Sequence, residues 1–154
     1  MLNYLLVMRI DAFLRESPMF AVTRTARRFE ALAARVLADD SLGFLEALVL
    51  AGLFFEAPRQ VKPSELAATF GTTRGSVSHC ITSLEAKGLV QRKIDPEDAR
   101  AYLLTLKPQG KRCALRVIAA LDRLQKGFED EVGKAALGEM LRAMRRLDSA
   151  FPFR

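Results

Sequence analysis

The stretch GTTRGSVSHCITSLEAKGLVQRKIDPEDAR, residues 71–100, decides the fold and contains the only histidine of the chain. Its first half predicts a helix over about 74–87, because apolar residues recur there at positions i, i+3, i+4 and i+7. The apolar stripe consists of Val77, Cys80, Ile81 and Leu84. The opposite side carries Thr72, Gly75, Ser78, His79 and Thr82, with Arg74 and Ser76 beside them.

The polar side of this helix is rich in residues that form helices poorly. A merely solvated helix usually carries Glu, Lys, Gln and Arg there, whereas glycine and hydroxyl residues have lower helix propensity. Short side chains allow a helix to enter the major groove of DNA, and hydroxyls and histidine can bind base edges or phosphates. The helix N-terminus also attracts phosphate. We therefore interpret this face as a DNA contact; the alternative for His79 is an exposed residue without a role.

The segment before this helix completes a larger motif. PSELAATF, residues 63–70, predicts a short helix, and Gly71, Thr72 and Thr73 predict a three-residue turn. Gly71 and Gly88 suit the left-handed backbone position that follows a helix. Two helices joined by a short turn that contains glycine are typical of a helix-turn-helix.

The period changes after Gly88. LVQRKI and AYLLTL predict two short strands, and DPEDAR between them predicts a hairpin tip near residues 95–99. Arg92 and Lys93 precede the tip, and Arg100 follows it. Because residues two apart on a strand share a face, we expect Asp98 to orient the Arg100 guanidinium for the negative potential of a minor groove. The alternative is an ordinary exposed ion pair, which contributes little.

The rest of the chain predicts further helices. Residues 3–15 and 19–38 have helical periodicity, residues 41–57 are apolar nearly all round with Ser41 as the expected N-cap, and two long amphipathic segments follow Pro108. Four arginines of the second helix predict a solvated face: Arg24, Arg27, Arg28 and Arg35.

Composition narrows the class of function. The chain has 154 residues, a formal net charge of +6 and a pI near 9.7, which indicate a polyanionic partner such as nucleic acid or an anionic membrane. The apolar N-terminus is interrupted by charges and lacks a basic leader, so we expect cytoplasmic residence. With one histidine we find no nucleophile–base or metal cluster, and we predict a protein that is not an enzyme and binds no cofactor or metal.

The two cysteines do not suggest a metal site or a disulfide framework. Cys80 and Cys113 lack CxxC spacing and neighbouring ligand residues. Cys80 lies on the apolar stripe and is interpreted as a small core residue, with a redox switch as the alternative; Cys113 has a similar interpretation.

From about residue 42 to residue 110, the chain resembles the MarR family of winged-helix transcriptional regulators. The resemblance rests on the order and spacing of four fragments: SELAATFG, SVSHCITSLEAKGLVQR, DPEDAR and LLTLKPQG. The resemblance implies a mostly α fold with a β-hairpin wing. It also implies a homodimer whose two lobes read a pseudo-palindromic site with recognition helices about 34 Å apart. The expected domains are dimerisation helices at 1–40, a winged lobe at 41–106 and dimerisation helices at 107–154.

The resemblance, together with the charge pattern, gives a set of expected DNA contacts. Thr72, Thr73, Arg74, Ser76, Ser78 and His79 are expected at the major groove, and Arg100 in the minor groove with Asp98 holding it. Gly75, Thr82, Arg92 and Lys93 complete the expected interface.

The chain departs from the family pattern at two helix starts. Lys62-Pro63 and Lys107-Pro108 stand where the family often has a threonine. Lysine cannot accept an N-terminal N–H, so each start is expected to lose about 1 kcal/mol, which proline at the first helical position partly offsets. Lys62 is instead able to reach a phosphate. An apolar extension, residues 1–17, precedes the first family helix and is expected to enlarge the dimer interface.

Many members of the family bind small aromatic effectors, and the phenylalanines offer two interpretations. An effector pocket could be lined by Phe20, Phe29, Phe44, Phe54 and Phe55. The alternative is a plain aromatic core. The leading functional prediction is a sequence-specific regulator of transcription, expected to repress, and the second is a winged-helix module that binds a protein and no DNA.

Overall fold

The computed structural model describes residues 10–150. In chain order the elements are α1 (Ile10–Glu16), α2 (Pro18–Val36), a 3-10 turn (Ala38–Asp40), α3 (Phe44–Glu56), α4 (Pro63–Thr69), α5 (Arg74–Ala86), β1 (Val90–Ile94), β2 (Tyr102–Leu106), α6 (Pro108–Val132) and α7 (Lys134–Ala150). The predicted fold class, mostly helical with one small hairpin, is confirmed. Of the helix predicted over 3–15, residues 3–9 lie outside the described residues.

The core lies inside the lobe formed by α3, α4, α5 and the hairpin, with α6 packed against α3. Leu50, Ile81, Leu84, Leu104 and Val117 are among its fully buried side chains. The α3 helix is buried on most sides, as its all-round apolar sequence predicts. Burying one such side chain contributes about 1.5–3 kcal/mol, so these contacts hold the helix-turn-helix and the hairpin in one rigid arrangement.

The start of α3 differs from the predicted one. Ser41 lies before the helix in a left-handed conformation (φ 52°), and Gly43 is the N-cap residue. The Glu46 carboxylate accepts the Gly43 backbone N–H at 2.7 Å. The prediction that Ser41 is the N-cap is therefore wrong. The 3-10 turn continues through Asp40, so the helix begins later, and the Glu46 carboxylate binds the otherwise unsatisfied N–H of Gly43.

The hairpin pairs β1 with β2 in antiparallel register, from Val90 opposite Leu106 to Ile94 opposite Tyr102. A third segment joins the sheet at Val61, whose carbonyl accepts the Leu104 N–H at 2.9 Å. The residues directly before α4 are therefore fixed against the wing. Gly71 (φ 59°) and Gly88 (φ 71°) both have the predicted left-handed backbone.

The helices outside the lobe leave apolar side chains in solvent. Among the described residues, twelve of the fourteen large hydrophobic side chains that are exposed lie on α1, α2, α6 and α7. They include Met19, Val36, Leu115, Leu141 and Leu147. An apolar surface spread over four helices is unusual for a monomer and typical of an interface.

Candidate nucleic-acid interface

The N-terminus of α5 is capped by its own residues and open to solvent. Thr73 is the N-cap, and its hydroxyl oxygen accepts the Ser76 backbone N–H at 3.1 Å. The Thr73 and Ser76 hydroxyls lie 2.8 Å apart. The buried face of α5 consists of Val77, Ile81 and Leu84. The two-sided helix predicted from the sequence is thus confirmed, with Cys80 half-buried at the boundary.

The exposed face of α5 carries the short side chains that the sequence placed there. Arg74, Gly75, Ser76, Ser78 and His79 are all exposed. A Cβ atom added to Gly75 would meet only the Thr73 hydroxyl, at the ordinary distance of 3.8 Å. Internal packing therefore does not require glycine at this position. The small size of Gly75 instead leaves room next to the exposed face of the helix.

The turn before α5 contributes one residue to this face. The Thr72 backbone N–H donates to the Ala67 carbonyl at 3.0 Å, which fixes the turn, and its side chain is half-buried. Thr72 therefore lies at the edge of the exposed face, next to the capping Thr73.

Two residues expected at the DNA also bond to each other within the lobe. The Arg92 guanidinium donates to the Thr82 hydroxyl at 3.0 Å, lies 3.1 Å from a Glu85 carboxylate oxygen and stacks 4.8 Å from the centre of the Tyr102 ring. The Thr82 hydroxyl also donates to the Ser78 carbonyl. Arg92 therefore joins β1 to α5, and both Arg92 and Thr82 remain exposed. Their expected contact with DNA stays a prediction.

The wing tip also differs from the prediction. The Asp98 carboxylate accepts the backbone N–H of Arg100 at 3.0 Å, and both residues lie in the turn between the strands. No acidic side chain within residues 10–150 forms an ion pair with the Arg100 guanidinium. The predicted orientation of that guanidinium by Asp98 is wrong because alternation along a strand does not apply in a turn. Arg100 remains exposed at the tip.

Lysines 62 and 93 have different surroundings. Lys93 is exposed on β1 and has no bonded partner in the described chain. Lys62 lies at the N-cap of α4, where its Nζ atom is 2.7 Å from the Asp95 carboxylate. Its backbone N–H donates to the Glu65 carboxylate at 3.0 Å, which is the half of a capping box that does not depend on the N-cap side chain.

The five phenylalanines proposed for an effector pocket are spread over α2 and α3. Phe20 packs edge-on against Phe13, and Phe29 lies 4.6 Å from Phe128. Phe44 begins α3, whereas Phe54 and Phe55 end it about 15 Å away, at 1.5 Å of rise per residue. Phe55 is 70% exposed. The sequence shows that phenylalanine is frequent in this region, but it does not show how far apart the helices place the individual rings.

A cavity of about 430 Å³ does open between α1 and α2. Leu14, Phe20 and Ala31 form its apolar part, and Arg24, Arg27 and Arg28 lie around it. None of these three arginines forms an ion pair with a described acidic residue. Of the predicted pocket residues only Phe20 is present, and arginines interpreted as a solvated face are at its rim.

Other kinds of site find little support among residues 10–150. No group of three His, Cys, Asp or Glu side chains is arranged to hold a metal ion. None of the helices described is both long and apolar enough to cross a bilayer. Burial raises the pKa of the Cys80 and Cys113 thiols, which disfavours the reactive thiolate.

Two polar contacts in the lobe were not predicted. Lys87, the C-cap residue of α5, donates to both Glu46 carboxylate oxygens at 2.9 and 3.0 Å and to the Ser41 carbonyl at 2.8 Å. Burial tends to raise the pKa of Glu46, but hydrogen bonds from Ser83, Gly43 and Lys87 outweigh it and lower that pKa. The second unpredicted contact is the ion pair between Lys62 and Asp95, whose side chain is only 5% exposed. The two pairs join residues that are far apart in sequence, so no local spacing could predict them.

The helix-turn-helix, the hairpin beside it and the open polar face of α5 define a winged helix-turn-helix protein. Residues 56–102 match the model of the MarR family. A protein of Thauera aromatica, proposed to be the transcriptional regulatory protein for the hcr operon, is 31% identical over 84 residues. That alignment covers 54% of this chain and 51% of the relative, so the chain spans about half the length of the curated relative it matches.

Solved structures share the fold over most of the chain. CouR from Rhodococcus jostii RHA1, bound to p-coumaroyl-CoA, has a TM-score of 0.77 and 24% identity over 90% of this chain and 95% of its own. S. aureus MepR, in a complex with DNA, has a TM-score of 0.81 and 16% identity over 88% of this chain and 98% of its own. At these identities the likeness shows the fold.

Proposed function

We propose that this protein is a homodimeric regulator of transcription that binds a specific double-stranded DNA sequence and represses the genes beside it. The recognition helix α5 enters the major groove, and Arg100 at the wing tip enters the minor groove. The proposed groove contacts, reduced by the bonds within the lobe, are Thr72, Thr73, Arg74, Gly75, Ser76, Ser78, His79, Lys93 and Arg100. No catalytic step is assigned, and as a DNA-binding protein it would act in the cytoplasm.

The open face of α5 is the observation that carries this proposal. Its exposed residues at positions 74–76, 78 and 79 are short or cationic, and no other part of the described lobe bonds to the side chains of Arg74, Ser78 or His79. Short side chains bring a helix backbone close to base edges, and a solvent-exposed helix N-terminus attracts phosphate. S. aureus MepR, which has a similar fold, has been solved in a complex with DNA, and this supports the proposal.

The exposed apolar helices support the dimer. Residues 1–40 and 107–154 are proposed as dimerisation regions, and residues 41–106 as the DNA-binding lobe. Four helices of these outer regions expose large hydrophobic side chains, whereas in the described lobe only Phe55 and Ile94 do so. A second copy would cover the outer apolar surface and place two recognition helices about 34 Å apart, one turn of DNA.

The affinity of the full-length protein for duplex DNA, measured as a function of salt, tests the proposal. Selection from a random duplex library supplies the sequence, and the duplex upstream of its own gene is the natural candidate. We expect a steep fall in affinity with salt, since several phosphate contacts release counterions. If no duplex binds at low salt, the proposal is wrong.

A winged-helix module that binds a protein partner is the alternative from another class. Neutral replacements of Arg74, His79 and Arg100 separate the two, because they remove DNA contacts and leave the buried face of α5 intact. DNA binding should be lost in the triple variant, whereas a protein complex formed elsewhere on the lobe should persist.

An anionic aromatic effector is the second part of the proposal. The observation that favours it is the cavity between α1 and α2, where Phe20 and Leu14 supply an apolar surface and three unpaired arginines supply charge. CouR binds p-coumaroyl-CoA, an aromatic thioester with phosphates, on the same fold. Isothermal titration calorimetry with p-coumaroyl-CoA, for the wild type and for Arg27→Gln, tests this part of the proposal. If the substitution leaves the heat of binding unchanged, the cavity is excluded as the binding site.

A further inference from the structure

We propose that Lys62 is a wing-positioning residue: by holding the Asp95 carboxylate it sets the orientation of the wing tip, and therefore of Arg100, relative to the recognition helix. This inference rests on the proposed function. It replaces the expectation that Lys62 itself reaches a phosphate.

Lys62 is well placed to fix the wing because its own backbone is fixed. It is the N-cap residue of α4, the first helix of the helix-turn-helix, and its N–H donates to the Glu65 carboxylate at 3.0 Å. The preceding residue, Val61, pairs with Leu104 of β2 at 2.9 Å. The lysine side chain therefore starts from a point where α4 and the sheet meet, and it reaches 2.7 Å from Asp95 at the far end of β1.

Asp95 organises the whole tip. Its other carboxylate oxygen accepts the Glu97 N–H at 3.0 Å. Its backbone N–H donates to the Ala101 carbonyl at 3.1 Å, and its carbonyl accepts the Asp98 N–H at 3.3 Å. Asp98 in turn accepts the Arg100 N–H through its carboxylate. A continuous set of hydrogen bonds thus runs from the Lys62 Nζ atom to the backbone of Arg100.

The burial of the two partners argues against a phosphate contact. The Asp95 side chain is 5% exposed, whereas that of Lys62 is 41% exposed. If Lys62 turned toward DNA, a nearly buried carboxylate would lose its cation, and an unpaired buried charge is strongly unfavourable. The lysine hydrogen bond is also the main cause that lowers the pKa of Asp95, so the carboxylate is charged when the protein binds DNA at neutral pH.

Equilibrium binding of a selected duplex to full-length variants tests the assignment. We expect Lys62→Met and Asp95→Asn each to weaken binding about tenfold, because either change removes a charge-assisted hydrogen bond and frees the tip. The direction in which Asp95→Asn changes the affinity for DNA decides between a positioning role and a phosphate contact for Lys62. If Lys62 contacted phosphate directly, removing the carboxylate would release the lysine and one negative charge, and binding would stay equal or tighten.

A double-mutant cycle with Arg100→Ala provides the second readout. If Lys62 acts through the wing, Lys62→Met should have no further effect once Arg100 is absent. Lys93→Met is the matched control, since Lys93 is exposed on the same hairpin and its loss should weaken binding by the same factor with or without Arg100. Lys62→Arg should retain affinity, because it keeps the charge and reach.

These experiments distinguish failure of the positioning role of Lys62 from failure of the proposed DNA-binding function. If the wild type binds no duplex, the proposed function fails. If the wild type binds and Asp95→Asn binds as tightly, or the Lys62→Met loss persists without Arg100, the positioning role is overturned. Thermal unfolding confirms that each variant is folded, and Lys62→Gln replaces Lys62→Met in the cycle if the latter does not fold.

Discussion

At the scale of one residue, Arg100 is proposed to bind DNA, and its side chain contributes little to the fold. Its guanidinium is exposed and forms no ion pair with a described acidic residue, so only its backbone N–H contributes to the turn. An alanine at this position keeps that N–H. The side chain can therefore be removed without disturbing the lobe.

We expect Arg100→Ala to weaken binding of the selected duplex by about 1–3 kcal/mol and to leave the melting temperature and dimer affinity unchanged. Fluorescence anisotropy measures the first quantity and thermal unfolding the second. A fall of several degrees in melting temperature would mean that the guanidinium is structural after all.

Gly110 is the residue whose replacement should damage the fold most directly. A Cβ atom there would lie 1.9 Å from the Leu89 carbonyl oxygen, and backbone on both sides prevents a small adjustment. We expect Gly110→Ala to lower the free energy of unfolding by about 3 kcal/mol or more. Chemical denaturation at fixed protein concentration measures it.

Gly127 is the matched control on the same helix. Nothing lies within 4 Å of a Cβ added there, so Gly127→Ala should be neutral or should stabilise by up to about 1 kcal/mol, the difference in helix propensity. Equal losses at both positions would contradict the proposed clash.

At the scale of elements, Glu46 and Lys87 join the start of α3 to the end of α5. The folded pKa of Glu46 is below its usual value of 4.5, so the ionised form contributes stability that is complete above that pH and is lost as the pH falls through the folded pKa. We expect Glu46→Gln to lower the melting temperature at neutral pH, and the difference from the wild type to shrink below about pH 4.

Thermal unfolding of both proteins over a series of pH values measures this difference. Glu131→Gln is the control, because Glu131 is exposed on α6 and its side chain bonds to no described residue. Its melting temperature should follow the wild type throughout. A difference for Glu46→Gln that stays constant with pH would exclude the carboxylate as the cause.

The sequence predicted elements whose causes are local. Apolar periodicity predicted both faces of α5, and glycine predicted the left-handed positions at 71 and 88. What it failed to predict depends on tertiary contacts. Asp40 and Arg116 form an ion pair across 76 positions, and Lys87 binds Glu46 across 41. Such contacts exist only once helices have packed, as do the bonds that Lys62 makes to Asp95 and Arg92 makes to Thr82.

At the scale of the whole molecule, the exposed apolar helices predict that the N-terminal extension stabilises the dimer. Ile10 of α1 is 70% exposed, and Phe13 packs against Phe20 of α2. We expect removal of residues 1–17 to weaken the dimer about tenfold or more, since it deletes apolar contact area. Analytical ultracentrifugation over a range of concentrations measures the dimer affinity. An unchanged value would exclude the extension from the interface.

The polar anchor of α5 lies at one end only. Lys87 fastens the last turn to Glu46 and Ser41, whereas the first turn is capped by its own Thr73. In the proposed complex, the end of α5 that would meet the bases is therefore held to the lobe by apolar packing, beginning at Val77, and not by an ion pair. We expect this end to adjust to small differences in DNA twist between half-sites, so that a binding site can carry some sequence variation.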